Sequence, residues 1–419
     1  MKECHSPLFG RDFVLVVIGQ VISLFGNAIL RFALPLYLLR QTGSAALFGA
    51  VGAAAFIPAV LCAPVGGVVA DRVNKRSIMA ALDFSTAGLM LAFTLLLGRV
   101  PLVPLMVVCL MALYGIAGAY QPAVQASIPL LAGEAQLTRA NAVINMVGTL
   151  SALLGPVAGG VLFGVFGIRP ILWVGIGCFA LSAVMELFIR IPHHPQPAAG
   201  GVLATVRRDL GEGWKFIRRE RPVFLSVMLV LALFNLALSA ALIVGIPVGV
   251  VNVLGMSDSL LGLAQGAMGL GGLLGGLMAA CLGGRFRLRQ GSGVLLAAGA
   301  ATAAMGAGLM PWVPPAVGYW LLAAMSFAIM VLSTVLVVAL SAAVQARTPP
   351  ELLGKVMAFI MAVSNCASPA GQAVYGALYE HCAAWAVLMG AAGAALLIAA
   401  YSRRAFRALD AAGRGTAEG

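Results

Sequence analysis

The stretch Gly67-Val-Val-Ala-Asp71-Arg72-Val-Asn74-Lys75-Arg76 joins two apolar segments, each long enough to cross a lipid bilayer. The chain therefore turns back at this loop, which holds one acid among three bases. A carboxylate at a helix end beside cations can form charge-assisted hydrogen bonds with a neighbouring helix terminus. We predict that Asp71, Arg72, Lys75 and Arg76 form a conformational latch; the alternative is an ordinary basic loop at the membrane surface.

Outward from this loop, the composition is that of a membrane protein. Of 419 residues, 61% are hydrophobic and 10% are charged, whereas soluble domains have about 25% charged residues. A span needs about 20 apolar residues, and the sequence offers twelve such segments. We predict spans at roughly 13–39, 45–69, 77–97, 103–127, 141–166, 170–189, 223–248, 259–282, 291–310, 316–342, 356–379 and 384–401.

The basic residues predict the orientation of these spans. Nearly all of the 26 Lys and Arg residues fall on one side, and only Arg40, Arg99 and Arg169 fall between spans on the other. Positive residues concentrate in cytoplasmic loops. We therefore predict a multi-pass protein of the cell (inner or plasma) membrane with both termini cytoplasmic. The net charge of +12 is accounted for by these loops, so we expect no nucleic-acid partner.

The longest polar stretch divides the chain into two similar halves. One shift along the sequence superposes Arg72 on Arg285 and Pro156 on Pro369. We predict a six-helix bundle at 1–190, a cytoplasmic loop with a basic amphipathic helix at 191–221, a second six-helix bundle at 222–403 and a tail at 404–419. His193-His194 in the loop lacks further metal ligands, so we read it as part of a linker and expect neither metal nor cofactor.

Small residues crowd the fifth predicted span, at Gly148, Gly155, Pro156, Gly159 and Gly160. Glycines at this spacing let two helices touch, and a proline bends the helix axis. We predict a hinge here; simple packing of small residues is the alternative.

Both stretches resemble motifs of the major facilitator superfamily. The loop is similar to G-x-x-x-D-R-x-G-R/K-R, with Asn74 in place of glycine, and Gly155-Pro156-Val-Ala-Gly159-Gly160 resembles the exporter motif G-P-x-x-G-G. The runs Tyr120-Gln121-Pro122-Ala123 and Asp209-Leu-Gly-Glu-Gly-Trp-Lys-Phe-Ile217 look like the macrolide-efflux and enterobactin-exporter branch. The similarity covers nearly the whole chain. It implies an all-α integral membrane fold of twelve transmembrane helices in two pseudo-symmetric six-helix bundles, and proton-coupled export by a monomer.

One departure from that branch concerns the coupling ion. The group commonly has Gly-Asp in the first helix, and this chain has Gly26-Asn27. Asparagine cannot exchange a proton near neutral pH. Coupling therefore needs another carrier or a different ion; the proton remains the expected one.

Few charges lie inside the predicted spans. Asn27 and Arg31 share a helix face, and we predict that they line a substrate cavity; the alternative is that Arg31 snorkels outward. For Asp83 we predict a role as partner of the loop cations, hence part of the latch, with a proton carrier as the alternative. Glu186 is expected to form an ion pair with Arg190.

Polar residues in otherwise apolar spans are further candidates for the cavity lining. They are Gln121, Asn235, Ser333, Thr334 and Asn365. The resemblance gives more weight to Gln121, Asn235, Ser333 and Thr334, because the first, fourth, seventh and tenth helices line the cavity in that superfamily; Asn365 lies in the eleventh span. A hydrogen bond between helices is the alternative for each.

The sequence is compatible with three functions. The first is export of drug-like or macrolide-like amphipathic molecules by rocker-switch alternating access, driven by an ion gradient. The second is transport of a lysophospholipid or siderophore by the same fold, and the third is a membrane scaffold that transports nothing. We expect no enzyme, since the sequence has no GxxxxGK[ST], HExxH or GxSxG motif.

Overall fold

A computed structural model describes residues 10–132, 136–191, 202–283, 286 and 288–414. This part of the chain is helical and contains no β-strand. In the first half the helices are α1 (Arg11–Thr42), α2 (Ala45–Arg72), α3 (Lys75–Leu96), α4 (Leu102–Leu131), α5 (Leu137–Phe166) and α6 (Ile168–Leu187). The rest are α7 (Val202–Arg219), α8 (Val223–Phe234), α9 (Ala240–Pro247), α10 (Asp258–Leu282), α11 (Gly291–Gly308, after a 3₁₀ turn at Leu288–Gln290), α12 (Pro315–Gln345), α13 (Pro350–His381) and α14 (Ala384–Arg414).

Twelve segments of the described chain are long and apolar enough to cross a membrane. They correspond one for one to the twelve predicted spans, and the predicted fold class is confirmed. Many extend beyond the predicted limits: the first, for example, covers Arg11–Thr42. A helix continues past the apolar stretch because its polar end residues still gain backbone hydrogen bonds in the interfacial region.

The seventh span differs from the simple helix that its apolar sequence predicts. It covers Val223–Val253 and interrupts α8 and α9 with π-helical stretches at Asn235–Ser239 and Val248–Val253. Single π turns inside α-helices often occur at functional sites. The first stretch begins at Asn235, one of the predicted cavity residues.

The chain forms two compact units, one of residues 1–41 and 54–202, the other of 42–53 and 203–419. The second unit includes the start of α2, which packs closely on α13. Ser44 Oγ and the Ala46 N–H both donate to Glu380 Oε2, at 3.0 and 3.1 Å. A Cβ added at Gly49 would lie 2.3 Å from the Gln372 carbonyl oxygen, so only glycine lets the start of α2 lie this close to α13.

The amphipathic helix α7 docks on α13 within the second unit. Glu212 forms an ion pair with Lys355, and a Cβ at Gly213 would lie 2.9 Å from the Lys355 carbonyl oxygen. Phe216 and Ile217 are buried, while the basic side chains at 215, 218 and 219 are exposed. The predicted linker residues His193 and His194 lie outside the described residues.

The predicted orientation is tested by labelling single cysteines in a background without native thiols. We expect Lys75→Cys to react with a membrane-impermeant maleimide only from the cytoplasmic side, and Asp258→Cys only from outside, because Lys75 begins α3 and Asp258 begins α10 on opposite faces of the predicted topology. The cysteine-free parent is the control. Reaction of both cysteines from the same side would contradict the predicted topology.

Candidate functional site

The first unit contains a cavity of about 280 Å³ bounded by α1, α2, α3, α4 and α6. Three predicted cavity residues, Asn27, Arg31 and Gln121, lie in its lining together with Asp83. Its aromatic and polar lining also includes Ser23, Phe56, Thr86, Tyr114, Tyr120 and Phe179. The first and fourth spans thus bring their polar residues to one place.

Arg31 points into this cavity and does not reach outward along the helix. Its guanidinium carbon lies 3.9 Å from the centroid of the Tyr114 ring, the geometry of a cation–π interaction. Its Nε is buried and has no hydrogen-bond partner in the part of the chain that the structure describes. A guanidinium that stacks on an aromatic face keeps its outer N–H groups for another ligand.

A network of buried polar side chains lies beside the cavity. Ser23 Oγ donates to Asp83 Oδ1 at 3.0 Å, Gln20 Nε2 donates to the Tyr120 hydroxyl at 2.7 Å, and that hydroxyl donates to Glu186 Oε1 at 2.6 Å. These five side chains come from α1, α3, α4 and α6, and each is at most 5% exposed. The four helices therefore share one polar core, called the buried carboxyl network below.

Two predicted ion pairs concern this network. Among the described residues Asp83 makes no ion pair with Lys75 or Arg76, because two turns of helix, about 12 Å, separate it from the start of α3 and its side chain turns toward Ser23. The side chain of Arg72 lies outside the described part of the chain, so the place of Asp83 in the latch stays a prediction. The ion pair predicted between Glu186 and Arg190 is wrong. The Glu186 side chain turns into the bundle toward Tyr120, and the Arg190 N–H donates to Asp12 Oδ1 at 3.1 Å instead.

Gln20 and Tyr120 were not among the residues predicted from the sequence. A signal for Gln20 exists in α1, where Gln20, Ser23, Asn27 and Arg31 recur at intervals of three or four residues. That spacing places them along one helix face, so the polar stripe of the first span was longer than the pair predicted.

The predicted latch is described only in part. Asn74 caps α3, its Oδ1 accepting the Arg76 N–H at 3.0 Å, as expected of a residue that replaces glycine at a helix start. The side chains of Asp71 and Arg72 lie outside the described part of the chain, so the latch remains a prediction.

The glycines of the fifth span bring α5 against α1. A Cβ at Gly155 would lie 2.4 Å from Ala28 Cβ, and one at Gly159 would lie 2.9 Å from the Phe32 ring. Gly160 is also buried, Pro156 stands inside an unbroken helix, and Gly148 faces open space. Because Ala28 is next to Asn27, this close contact fixes the position of α1, the helix that carries the cavity residues Asn27 and Arg31.

In the second unit, Asn235 and Asn365 line a smaller pocket of about 70 Å³ with Ser341 and Ser364. Ser333 and Thr334 are absent from the lining of this pocket, and their place in a substrate cavity stays a prediction. The Ser333 hydroxyl donates to the Ile329 carbonyl of its own helix at 2.6 Å. Serines in apolar helices often form this hydrogen bond with their own backbone. Thr334 packs on α10, where a Cβ at Gly275 would lie 2.9 Å from its Cβ.

Known proteins share the sequence pattern and the fold. The family model of the Major Facilitator Superfamily matches residues 16–372. Macrolide efflux protein A of Streptococcus pyogenes is 26% identical over 214 residues, 51% of this chain and 52% of that protein. Multidrug efflux pump Tap of Mycolicibacterium fortuitum is 25% identical over 210 residues, 49% of this chain and 51% of that protein.

The matched region thus spans about half the length of these relatives. The crystal structure of the nucleoside transporter NupG superposes with a TM-score of 0.71 at 15% identity, covering 96% of this chain and 99% of that one. At this identity, the likeness concerns the fold alone.

Proposed function

This chain belongs to the Major Facilitator Superfamily, and from that premise we propose that it exports amphipathic small molecules by rocker-switch alternating access, driven by an ion gradient. It is a multi-pass membrane transporter with efflux pumps among its relatives. One observation carries the finer proposal: the cavity of the first unit combines aromatic walls with a few polar groups and one cation.

That combination suits an amphipathic substrate. Pockets for small molecules are mostly apolar, with a few polar groups that fix the orientation of the ligand. Phe56, Tyr114 and Phe179 supply the aromatic surface, while Asn27 and Gln121 supply hydrogen bonds. A volume near 280 Å³ is at the lower limit of about 300 Å³ for such pockets, enough for one part of a large molecule. The relatives named for macrolide and multidrug efflux support the same substrate class.

Arg31 favours a second candidate, a lysophospholipid or siderophore with an anionic or zwitterionic group. A guanidinium binds carboxylate and phosphate oxygens in a bidentate manner, and Arg31 lies within the cavity lining. This charge would repel a cationic drug unless the Asp83 carboxyl group, which lies in the same lining, were ionised.

Transport into inside-out vesicles distinguishes these candidates. The panel is radiolabelled erythromycin, a lysophospholipid and a catecholate siderophore, each with an imposed pH gradient, a sodium gradient or neither. Export of macrolide-like molecules predicts gradient-dependent uptake of erythromycin above that of vesicles without the protein. Uptake of only the lysophospholipid or the siderophore would select the second candidate, and uptake of none would reject both.

The latch predicts a conformational defect in Asp71→Asn. Removing the charge should weaken the coupling between the states by about 1–3 kcal/mol and lower the turnover of vesicle uptake at equal expression. Asp71→Glu, which keeps the charge, is the matched control and should retain most of the activity. Unchanged turnover in Asp71→Asn would contradict the latch.

A further inference from the structure

The buried carboxyl network contains three oxygens that have no hydrogen-bond partner among the described residues. They are Asp83 Oδ2, Glu186 Oε2 and Gln20 Oε1, on side chains that are 2%, 1% and 1% exposed. Buried polar atoms are nearly always paired. Three such atoms in one network therefore indicate a site that takes up something more.

The charged groups around the network indicate what it could bind. Asp83 comes from α3 and Glu186 from α6, while Arg31 of α1 is the cation that shares the cavity lining with Asp83. Among the described residues, the other titratable groups that face the network are Tyr114 and Tyr120 of α4. With both carboxyl groups ionised, two negative charges would lie buried in the same network, and Arg31 is engaged with the Tyr114 ring. An ion taken out of water is costly unless it is paired, and a bound proton removes one of these charges.

The cavity reaches one carboxyl group directly and the other through a tyrosine hydroxyl. Asp83 and Tyr120 both line the cavity. The Tyr120 hydroxyl then connects the cavity to Glu186, which lies one residue before the end of α6. Asn27 of α1 also lines the cavity, and its amide cannot exchange a proton near neutral pH.

We propose that Asp83 and Glu186 form the site that binds and releases the coupling proton, with Tyr120 lining the cavity beside Asp83 and donating its hydroxyl hydrogen to Glu186. The inference rests on the proposed function, in that it assigns the ion that drives export. In binding, a carboxylate oxygen takes up a proton and becomes a neutral acid, and on release it returns to the carboxylate. No other reactant is needed.

Two modes of transport in the same vesicles test this site. Asp83→Asn and Glu186→Gln should each reduce erythromycin uptake driven by a pH gradient to the level of vesicles without the protein. Both variants should retain exchange of external for internal erythromycin, which needs no net proton movement. Glu351→Gln, at an exposed acid at the start of α13, is the matched control and should keep both modes. Loss of both modes in the two variants indicates a structural role and overturns the proposal, as does gradient-driven uptake that persists in both.

A second measurement needs neither a variant nor transport. Dicyclohexylcarbodiimide reacts with protonated carboxyl groups in apolar surroundings, and peptide mass spectrometry locates the adduct. In the wild-type protein in detergent we expect adducts at Asp83 or Glu186 in acidic buffer that decline as the buffer is made alkaline. Suppose that no substrate of the panel is carried, and that the adduct yield still falls as the pH rises. Export of that panel is then rejected, and the proton site stands. If wild-type uptake follows only a sodium gradient, or neither residue reacts at any pH, the proton site is rejected.

Discussion

Gly155→Ala is expected to destabilise the protein and to abolish most of its transport. The added Cβ would lie 2.4 Å from Ala28 Cβ, a distance at which the two helix backbones must separate. Overpacking of a tight contact costs about 1–3 kcal/mol, and here the displaced helix carries Asn27 and Arg31. The measurements are the thermal unfolding midpoint in detergent and the rate of erythromycin uptake by vesicles.

Two variants make this result specific. Gly148→Ala, on the same helix, adds the same methyl group where nothing lies within 4 Å, so it should behave like the wild type. Ala28→Gly removes the atom that Gly155→Ala meets and leaves backbone atoms at 3.4 Å, so the double variant should recover stability and transport. If Gly148→Ala is as harmful as Gly155→Ala, or if the double variant gains nothing, the contact with Ala28 is not the cause.

Arg31→Gln is expected to raise the KM for anionic substrates much more than the KM for neutral ones. A hydrogen bond to a charged group contributes about 1.5–3 kcal/mol, which corresponds to about a tenfold or larger change in binding. A neutral substrate loses only the packing around Tyr114. The measurement is the concentration dependence of vesicle uptake for an anionic and a neutral substrate that the wild type carries.

The controls for Arg31 separate charge from shape and position. Arg31→Lys keeps the charge but loses the planar group that stacks on Tyr114, so we expect partial activity. In a background without the native cysteines, Arg31→Cys should react with a hydrophilic thiol reagent, and bound substrate should protect the new thiol from that reaction. Equal loss for anionic and neutral substrates, or reaction without protection, would indicate that Arg31 has a structural role.

The fold could be predicted from the sequence because each span is a local property. Apolar length sets each membrane segment, and the basic loops alternate with them along the chain. The amphipathic helix α7 was likewise evident from the basic residues between 206 and 219. Even so, the buried face of α7 could not be assigned, because its partner Lys355 is far away in the sequence.

The candidate site was predictable only where its residues share one helix. Asn27 and Arg31 were found by their spacing in α1. Glu186 was misassigned to a nearby cation, and the contact of Asp83 with Ser23 was missed, because sequence reasoning pairs charges that are close along the chain. Their actual partners are 60 and 66 positions away, and only the packing of α3 and α6 against α1 and α4 determines them.

Ser333 and the π turn at Asn235 show two further limits of prediction from the sequence. A serine in an apolar helix can bond its own backbone or face a cavity, and the residue type is the same in both cases. The change from α to π hydrogen bonding at Asn235 depends on the neighbouring helices, and the apolar composition of the seventh span carries no sign of it.

The docking of α7 on α13 determines where the gene could be divided to produce two co-expressed fragments. Glu212 and Gly213 hold α7 to the start of α13, so this helix belongs mechanically to the second fragment. A division after Arg219 would leave Phe216 and Ile217 on the first fragment, away from the surface that buries them, and an exposed apolar patch promotes aggregation. The natural breakpoint is therefore before Val202.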